Sequence, residues 1–299
     1  MRKGVTILVV AGAVLLLCRL SQVVPVVLPA IQLPAEKLPI GILGFQFTNT
    51  LIATWLAMLI LIALSIAATR KMEIVPSGVQ NLMEMIVERF YELVEQTVGE
   101  RARQFFPLIM TIFLLVLVAN WMELIPGVDS IGPLAHPHGE EAKGYVVKWI
   151  GGIGLLTAEE AEHGKGYIVV PFVRAAATDL NFTLALALIA QFTVQAVGLR
   201  TLGLGYVRKF FNLKGIESAV GVLEFVSEIA KVISFSFRLF GNIFAGQVLL
   251  FVIAFLIPYV FPAIFYGLEI FVGFVQALVF AMLTMVFLHM ATLHHEEGH

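Results

Sequence analysis

Long runs of hydrophobic residues alternate with short polar segments along most of this 299-residue chain. A membrane-spanning helix needs about 20 mostly apolar residues. Runs of that kind cover residues 45–68, 105–125, 180–199, 217–257 and 263–292. Another apolar run, at 5–18, follows two basic residues and fits either a signal peptide or a short first span. The pattern predicts an all-α integral membrane protein with five transmembrane helices and a possible N-terminal sixth.

The last two hydrophobic runs are longer than a bilayer requires. At 1.5 Å per residue, a helix over 217–257 would be about 60 Å long, which is twice the hydrocarbon thickness. A helix of that length must tilt, kink or lie partly along the interface. We therefore predict two long, strongly tilted helices, joined by the short segment between Pro258 and Pro262.

Residues 77–103 carry an amphipathic pattern. Apolar residues recur at helical spacing on one face, and glutamates lie on the other. The pattern predicts a helix on the membrane surface, and a helix packed on neighbouring protein is the alternative. Ser77 and Gln80 match the spacing of a capping box at its start.

Composition supports the membrane class and excludes several functions. Hydrophobic residues make up 59% of the chain and charged residues 13%, about half the charged share of a soluble domain. The net charge of −2 gives no indication of a nucleic-acid partner. One cysteine, Cys18, excludes a disulfide framework, and no HExxH or GxSxG motif lies within the predicted spans. We expect no catalytic site, no metal site and no cofactor.

The distribution of basic residues predicts the orientation. Four Lys or Arg residues and no acid lie in the 198–216 loop, which we place on the cytoplasmic side. The 126–170 loop is acid-rich and is placed outside; its length favours a structure of its own or a partner. We divide the chain into an N-terminal segment, 1–40, and a membrane domain, 41–299, with an external insertion at 127–170.

Charged residues inside the predicted spans are costly, and they are functional candidates. Arg238 is the deepest of them, and Ser234 and Asn242 lie four residues to either side of it on the same helix face. A guanidinium stays protonated, so it serves as a fixed charge barrier rather than a proton carrier. The alternative is a structural charge paired with Glu224 or Glu228.

Other polar residues are predicted to lie toward the external ends of different spans. Glu269 and Gln276 are seven residues apart and share a helix face. Acids and amides of this kind suit an aqueous pocket that leads to the fixed charge, although a residue at a helix start also suits a cap. The set comprises Asn120, Glu123, Asp179, Asn181, Gln247, Glu269 and Gln276.

Four ordered segments resemble subunit a of the proton-translocating F-type ATP synthases. ISFSFRLFGNIFAG at 233–246 is similar to the family's arginine segment, and VQALVFAMLTMVFLHMA at 275–291 is similar to its last helix. NWMELIPG at 120–127 and TDLNFTLALAL at 178–188 resemble two further segments. The resemblance covers about 45–292, in order.

The resemblance implies a non-catalytic proton-channel subunit of the cell membrane. Such a subunit clasps a rotating c-ring through its long helices, and b-type peripheral stalk subunits and the rest of the ATP synthase complete the complex. Arg238 aligns with the arginine that faces the ring carboxylate between two offset half-channels, with Ser234 and Asn242 beside it. The implied external half-channel is lined by Asn120, Glu123, Asp179, Asn181, Gln247, Glu269 and Gln276.

The chain departs from the family pattern at two positions. Many bacterial members have an acid where Gln247 stands and a histidine where Glu269 stands. We therefore expect Glu269 to be the proton relay and Gln247 to be its hydrogen-bonding partner. The alternative function is a self-contained proton-coupled secondary transporter, which normally shows repeated halves and broken helices.

Overall fold

Six helices account for most of the described chain. The computed structural model describes residues 34–42, 45–125, 127–136, 144–150, 153–161, 166–203, 205–206, 216–257 and 261–292. The predicted N-terminal run at 5–18 lies outside these residues. The helices are α1 (Asn49–Thr69), α2 (Gly78–Val98), α3 (Ala102–Glu123), α4 (Leu180–Leu202), α5 (Ile216–Leu256) and α6 (Phe261–Thr292).

The helices confirm the predicted all-α membrane architecture. Five stretches are long and apolar enough to cross a membrane when α2 and α3 are taken as one stretch, Gly78–Glu123. The two long helices are present, with 41 residues in α5 and 32 in α6. Glycines at positive φ end two shorter helices: Gly99 after α2 and Gly203 after α4, each returning its N–H to the preceding helix.

The described residues form two compact units. One unit comprises 50–123, 175–243 and 272–299, and its core is built from the apolar faces of α2 to α6. Phe90 on α2 stacks on Phe113 of α3 with ring centroids 4.6 Å apart, and Phe235 on α5 lies 5.2 Å from Phe280 of α6. Aromatic pairs of this kind hold neighbouring helices in register.

The other unit comprises 1–49, 124–174 and 244–271, and it contains all the strands of the described chain. The strands pair antiparallel in twos, as β1 with β2, β3 with β6 and β4 with β5. Their bounds are β1 (Lys37–Ile42), β2 (Phe45–Thr48), β3 (Leu134–Ala135), β4 (Tyr145–Ile150), β5 (Ile153–Glu160) and β6 (Ile168–Val169). The described part of the insertion at 127–170 thus contains the four strands β3 to β6.

The amphipathic segment is helical, but its predicted capping box is wrong. The Ser77 side chain makes no capping hydrogen bond. The Gln80 amide instead donates to the Glu73 carbonyl at 3.0 Å and accepts from the Glu73 N–H at 3.1 Å. The preceding turn therefore provides the partners that a capping box would have supplied.

Candidate functional site

A polar stripe lies exposed on the middle of α5. Ser234, Arg238 and Asn242 are all exposed, and Arg238 Nη2 donates to Ser234 Oγ at 3.5 Å. The neighbouring Ile233 and Phe237 are also about half exposed, at 49% and 54%. The stripe combines a fixed charge with apolar residues on an open surface of the helix. Such a surface suits contact with another molecule inside the membrane.

Arg238 also borders a small pocket between α5 and α6. Gln276 of α6 lines the same pocket, and its apolar walls include Phe235, Leu239 and Phe280. A side-chain amide offers both hydrogen-bond donors and an acceptor. The pocket therefore brings one of the predicted channel residues, Gln276, beside the predicted charge barrier.

The structure gives Glu228 partners other than Arg238. Lys231 Nζ lies 2.7 Å from one carboxylate oxygen of Glu228, and the Gln195 amide donates to the other at 2.9 Å. The Gln191 amide is a further close donor to that oxygen. The pairing of Arg238 with Glu228 that the sequence left open is therefore absent from the described structure.

Glu269 of α6 lies against the backbone of α5 at Gly246, and both residues belong to the unit that contains the strands. It is 7% exposed, and a Cβ added at Gly246 would collide with its carboxyl group. The next residue along α5, Gln247, is buried at 4% exposure. Oε1 of Glu269 has no hydrogen-bond partner among the residues that the structure describes. The predicted relay and its predicted partner thus come from facing helices.

The remaining predicted channel residues differ in their surroundings. Asn120 is buried and donates to the Gly273 carbonyl of α6 at 3.1 Å, and Glu123 is buried at the end of α3. Asp179 caps α4 by accepting from the Asn181 N–H at 2.9 Å, and it accepts from the Thr50 hydroxyl at 2.8 Å. Asp179 therefore has the position and the hydrogen bond of a helix N-cap, which was the structural alternative to a channel role.

Asn181 and two hydroxyl residues complete the α4 end of the site. The Asn181 side chain is exposed. Thr183 on α4 and Ser236 on α5 are both fully buried, and their hydroxyl oxygens are 3.0 Å apart. A hydroxyl pair in an apolar interior fixes one helix against the other. Sequence reasoning missed the pair because its two members lie on different helices, 53 positions apart in the chain.

A second polar group was missed altogether. Asp129 lies in a single 3-10 turn, Val128–Ser130, and hydrogen-bonds the Gln247 side chain. Burial raises the pKa of Asp129 to about 6, against the lowering effect of that hydrogen bond and of the Arg174 charge. Glu36 faces the same guanidinium, and burial raises its pKa as well. No local sequence pattern connects these positions.

The fold and this polar constellation define a multi-pass helical membrane protein with a fixed cation exposed on a long helix. A family described as ATP synthase A chain matches residues 51–289. "ATP synthase subunit a" of Gloeobacter violaceus is 34% identical over 252 residues, covering 84% of this chain and 86% of that protein. The proteins of the same name from Mycobacterium ulcerans and Moorella thermoacetica are 34% identical over 259 residues and 30% identical over 241. They cover 84% and 80% of this chain, and 90% and 88% of their own lengths.

The chain therefore belongs to the ATP synthase A chain family. Membership assigns it the proton-transport role of the membrane sector in ATP synthesis. It is a multi-pass protein of the bacterial cell membrane, and membership of the family implies a complex with the c-ring and the rest of the ATP synthase. The names of its relatives fit a non-catalytic subunit.

Proposed function

We propose that this chain is the stationary half of a rotary proton motor and that Arg238 is its coupling charge. The observation that carries the proposal is the exposed stripe of Ser234, Arg238 and Asn242 on α5. A guanidinium is too costly to expose to lipid alone, so it needs a polar or anionic partner beyond the residues that the structure describes. A carboxylate on each c-ring subunit meets that need.

The chemistry at this stripe follows from the charge. A protonated ring carboxyl that approaches Arg238 is driven to release its proton, because the guanidinium stabilises the carboxylate. The guanidinium cannot take up that proton itself, so it separates the entry path from the exit path. The two paths are the half-channels, and protons that cross them in turn would rotate the ring and drive ATP synthesis in the catalytic head.

The external half-channel is assigned to polar residues of α3, α5 and α6 and of the start of α4, most of them buried. Glu269 is its proton relay, because its carboxyl is buried and one of its oxygens lacks a hydrogen-bond partner in the described structure. Gln276 carries the path to the pocket at Arg238. The other residues assigned to line or support this path are Asn120, Glu123, Asp179, Asn181 and Gln247. Residues 41–299 form this membrane domain, and b-type stalk subunits hold it against the ring.

Cross-linking tests the contact between the stripe and the ring. In a Cys18→Ser background, Asn242→Cys is paired with single cysteines placed along the outer helix of the ring subunit. We expect an oxidative cross-link between the two chains, because Asn242 lies on the exposed face beside Arg238. Ile62→Cys on α1, also exposed at 55%, is the matched control and should give no cross-link.

Two outcomes would contradict the proposal. Failure of Asn242→Cys to cross-link at every ring position, in an assembled complex, would remove the stripe from the interface. Purification of a pumping chain without any ring would favour the self-contained secondary transporter instead.

A further inference from the structure

A polar cluster outside the assigned half-channel contacts α5 at Gln247. Gly127, at φ 93°, and the hydrogen bond from the Ser130 N–H to its carbonyl, 3.0 Å, shape the turn that presents Asp129. The Asp129 side chain as a whole is partly exposed. Its Oδ1 is buried, however, and lacks a hydrogen-bond partner among the described residues. The residue therefore lies at the protein surface with one of its carboxyl oxygens inside the protein.

The charges around Asp129 do not balance. Arg174, 6% exposed, acts electrostatically on both Asp129 and Glu36, and Glu36 also accepts from Asn49 Nδ2 at 3.2 Å. One guanidinium cannot neutralise two carboxylates in a partly desolvated site. Uptake of one proton by either acid removes the excess charge, so a proton binds at this cluster more readily than at an isolated, solvated carboxylate.

Two adjacent residues of α5, Gly246 and Gln247, connect the cluster to the proposed relay, Glu269. Gln247 contacts Asp129, and the adjacent residue, Gly246, contacts the carboxyl of Glu269. The amide of Gln247 does not ionise near neutral pH, so it can orient a carboxyl but cannot hold a proton in transit. Asp129 supplies an ionisable group beside this amide, from a loop rather than from a helix.

We propose that Asp129 is a proton-relay residue at the external mouth of the half-channel, held by Gln247 and Arg174, which collects protons for Glu269. The proposal rests on the proposed function. In the step, the O–H bond of a hydronium ion breaks and an O–H bond to the Asp129 carboxylate forms, leaving water and a neutral acid. The neutral acid then gives the same proton to the path that leads to Glu269, and the carboxylate is restored.

The protonation behaviour of the cluster supports this role. Burial raises the pKa of Asp129 to about 6. Above that pH the carboxylate is largely ionised and can accept a proton, and below it the group is largely loaded. A collecting group matters most where hydronium is scarce, which is above pH 6. The groups that face Asp129 are Arg174, Glu36 and Gln247.

The test measures ATP synthesis by the whole complex in proteoliposomes. The lumen contacts the external side of the chain, and the lumenal pH is varied from below 6 to above 6. A potassium diffusion potential is adjusted so that the total proton-motive force stays constant. Asp129→Asn is expected to shift the half-maximal rate to lower lumenal pH, by about one unit, with the maximal rate kept. Asp129→Glu should keep the wild-type profile, and so should Glu159→Gln, which removes an exposed acid from the same insertion.

A structural role would give a different result. A uniform fall in rate at every pH with an unchanged midpoint, or an unchanged profile for Asp129→Asn, would overturn the relay. If Asp129→Asn does not assemble, Asp129→Cys in the Cys18→Ser background is assembled first and then modified with a thiol reagent that adds a carboxylate. Recovery of the wild-type midpoint supports the relay, and recovery by a neutral reagent of the same size contradicts it.

The outcome is distinguishable from a failure of the proposed function. Glu269→Gln and Arg238→Ala should abolish synthesis at every lumenal pH, whatever the role of Asp129. A wild-type profile for Asp129→Asn with both of those variants inactive would remove only the relay at Asp129. Normal synthesis by both variants would instead remove the proposed half-channel.

Discussion

At the residue scale, Gly246 is the residue that leaves room for the carboxyl of Glu269. A side chain at this position would occupy the same space as the carboxyl, because a Cβ built there collides with both of its oxygens. The buried acid therefore depends on a missing side chain on the facing helix. Gly246 is the last residue of the segment ISFSFRLFGNIFAG at 233–246, and its lack of a side chain permits the close approach of α6.

Gly246→Ala is expected to reduce ATP-driven proton pumping roughly 10- to 100-fold, since displacement of a reacting group by about 1 Å has effects of this size. Pumping is measured by acid-quench fluorescence in inverted vesicles, with assembly of the complex checked separately. Adding Glu269→Asp should restore part of the rate, because the shorter side chain withdraws the carboxyl from the new methyl group.

Gly267→Ala on α6 is the matched control for this pair, since a Cβ there meets no described atom within 4 Å. Pumping at the wild-type rate by Gly246→Ala would contradict the close contact. So would a double variant that is no faster than Gly246→Ala alone.

At the element scale, Glu228 ties α4 to α5. Amides of Gln191 and Gln195 on α4 and the Lys231 ammonium on α5 all donate to its carboxylate. Tyr206, after the end of α4, donates to the Gln195 amide oxygen at 2.8 Å and extends the network. Lys231 also lies over the Phe287 ring of α6, 4.9 Å from its centroid. These contacts fix α5 at a point seven to ten residues before Arg238.

Glu228→Ala is expected to lower the free energy of unfolding by about 2 kcal/mol, because three donors lose a charged acceptor in a mostly buried site. Denaturation of the purified chain in sodium dodecyl sulfate, followed by tryptophan fluorescence, measures the change. Glu92→Ala removes an exposed ion pair with Arg89 and should cost less than about 0.5 kcal/mol. Equal losses in the two variants would show that the network contributes no more than an exposed pair.

Element by element, the spanning helices followed from hydrophobic runs because each run is long enough to cross a bilayer, and α2 followed from its amphipathic pattern. The connections were harder to predict. The Ser77 capping box was wrong because Gln80 bonds the backbone of Glu73, a contact that spacing within the helix does not encode. The β4–β5 hairpin carried a usable signal, since Gly151-Gly152 separates two strand-like runs. Hydropathy analysis alone did not register it.

The site likewise contains some residues that the sequence pattern predicts and others that it does not. Ser234, Arg238 and Asn242 were predictable, because residues four apart on one helix share a face and an intramembrane charge is conspicuous. Asp129 was not, because its partner Gln247 is distant in sequence and a loop acid is ordinarily solvated. Long-range contacts of this kind become visible only when the chain is folded.

At the scale of the whole molecule, the account makes this chain the fixed partner of a moving ring. Helix α5 exposes one cation, Arg238, in the stripe that it shares with Ser234 and Asn242, and Glu269 and Gln247 are buried in the unit that contains the strands. Neither half of such a device transports protons by itself, because the ring supplies the carboxylates that carry them. The measured activity must therefore be that of the assembled complex.

The most direct test of this account is acid-quench fluorescence in inverted vesicles that contain the whole assembly, comparing wild type with Arg238→Ala. Among the described residues, Arg238 makes a single long hydrogen bond, from Nη2 to Ser234 Oγ at 3.5 Å, so loss of its side chain should leave the fold and the assembly intact. The account predicts that ATP-driven acidification disappears while the complex remains assembled. Acidification at the wild-type rate would show that Arg238 is not the coupling charge, and the half-channels assigned around it would be withdrawn.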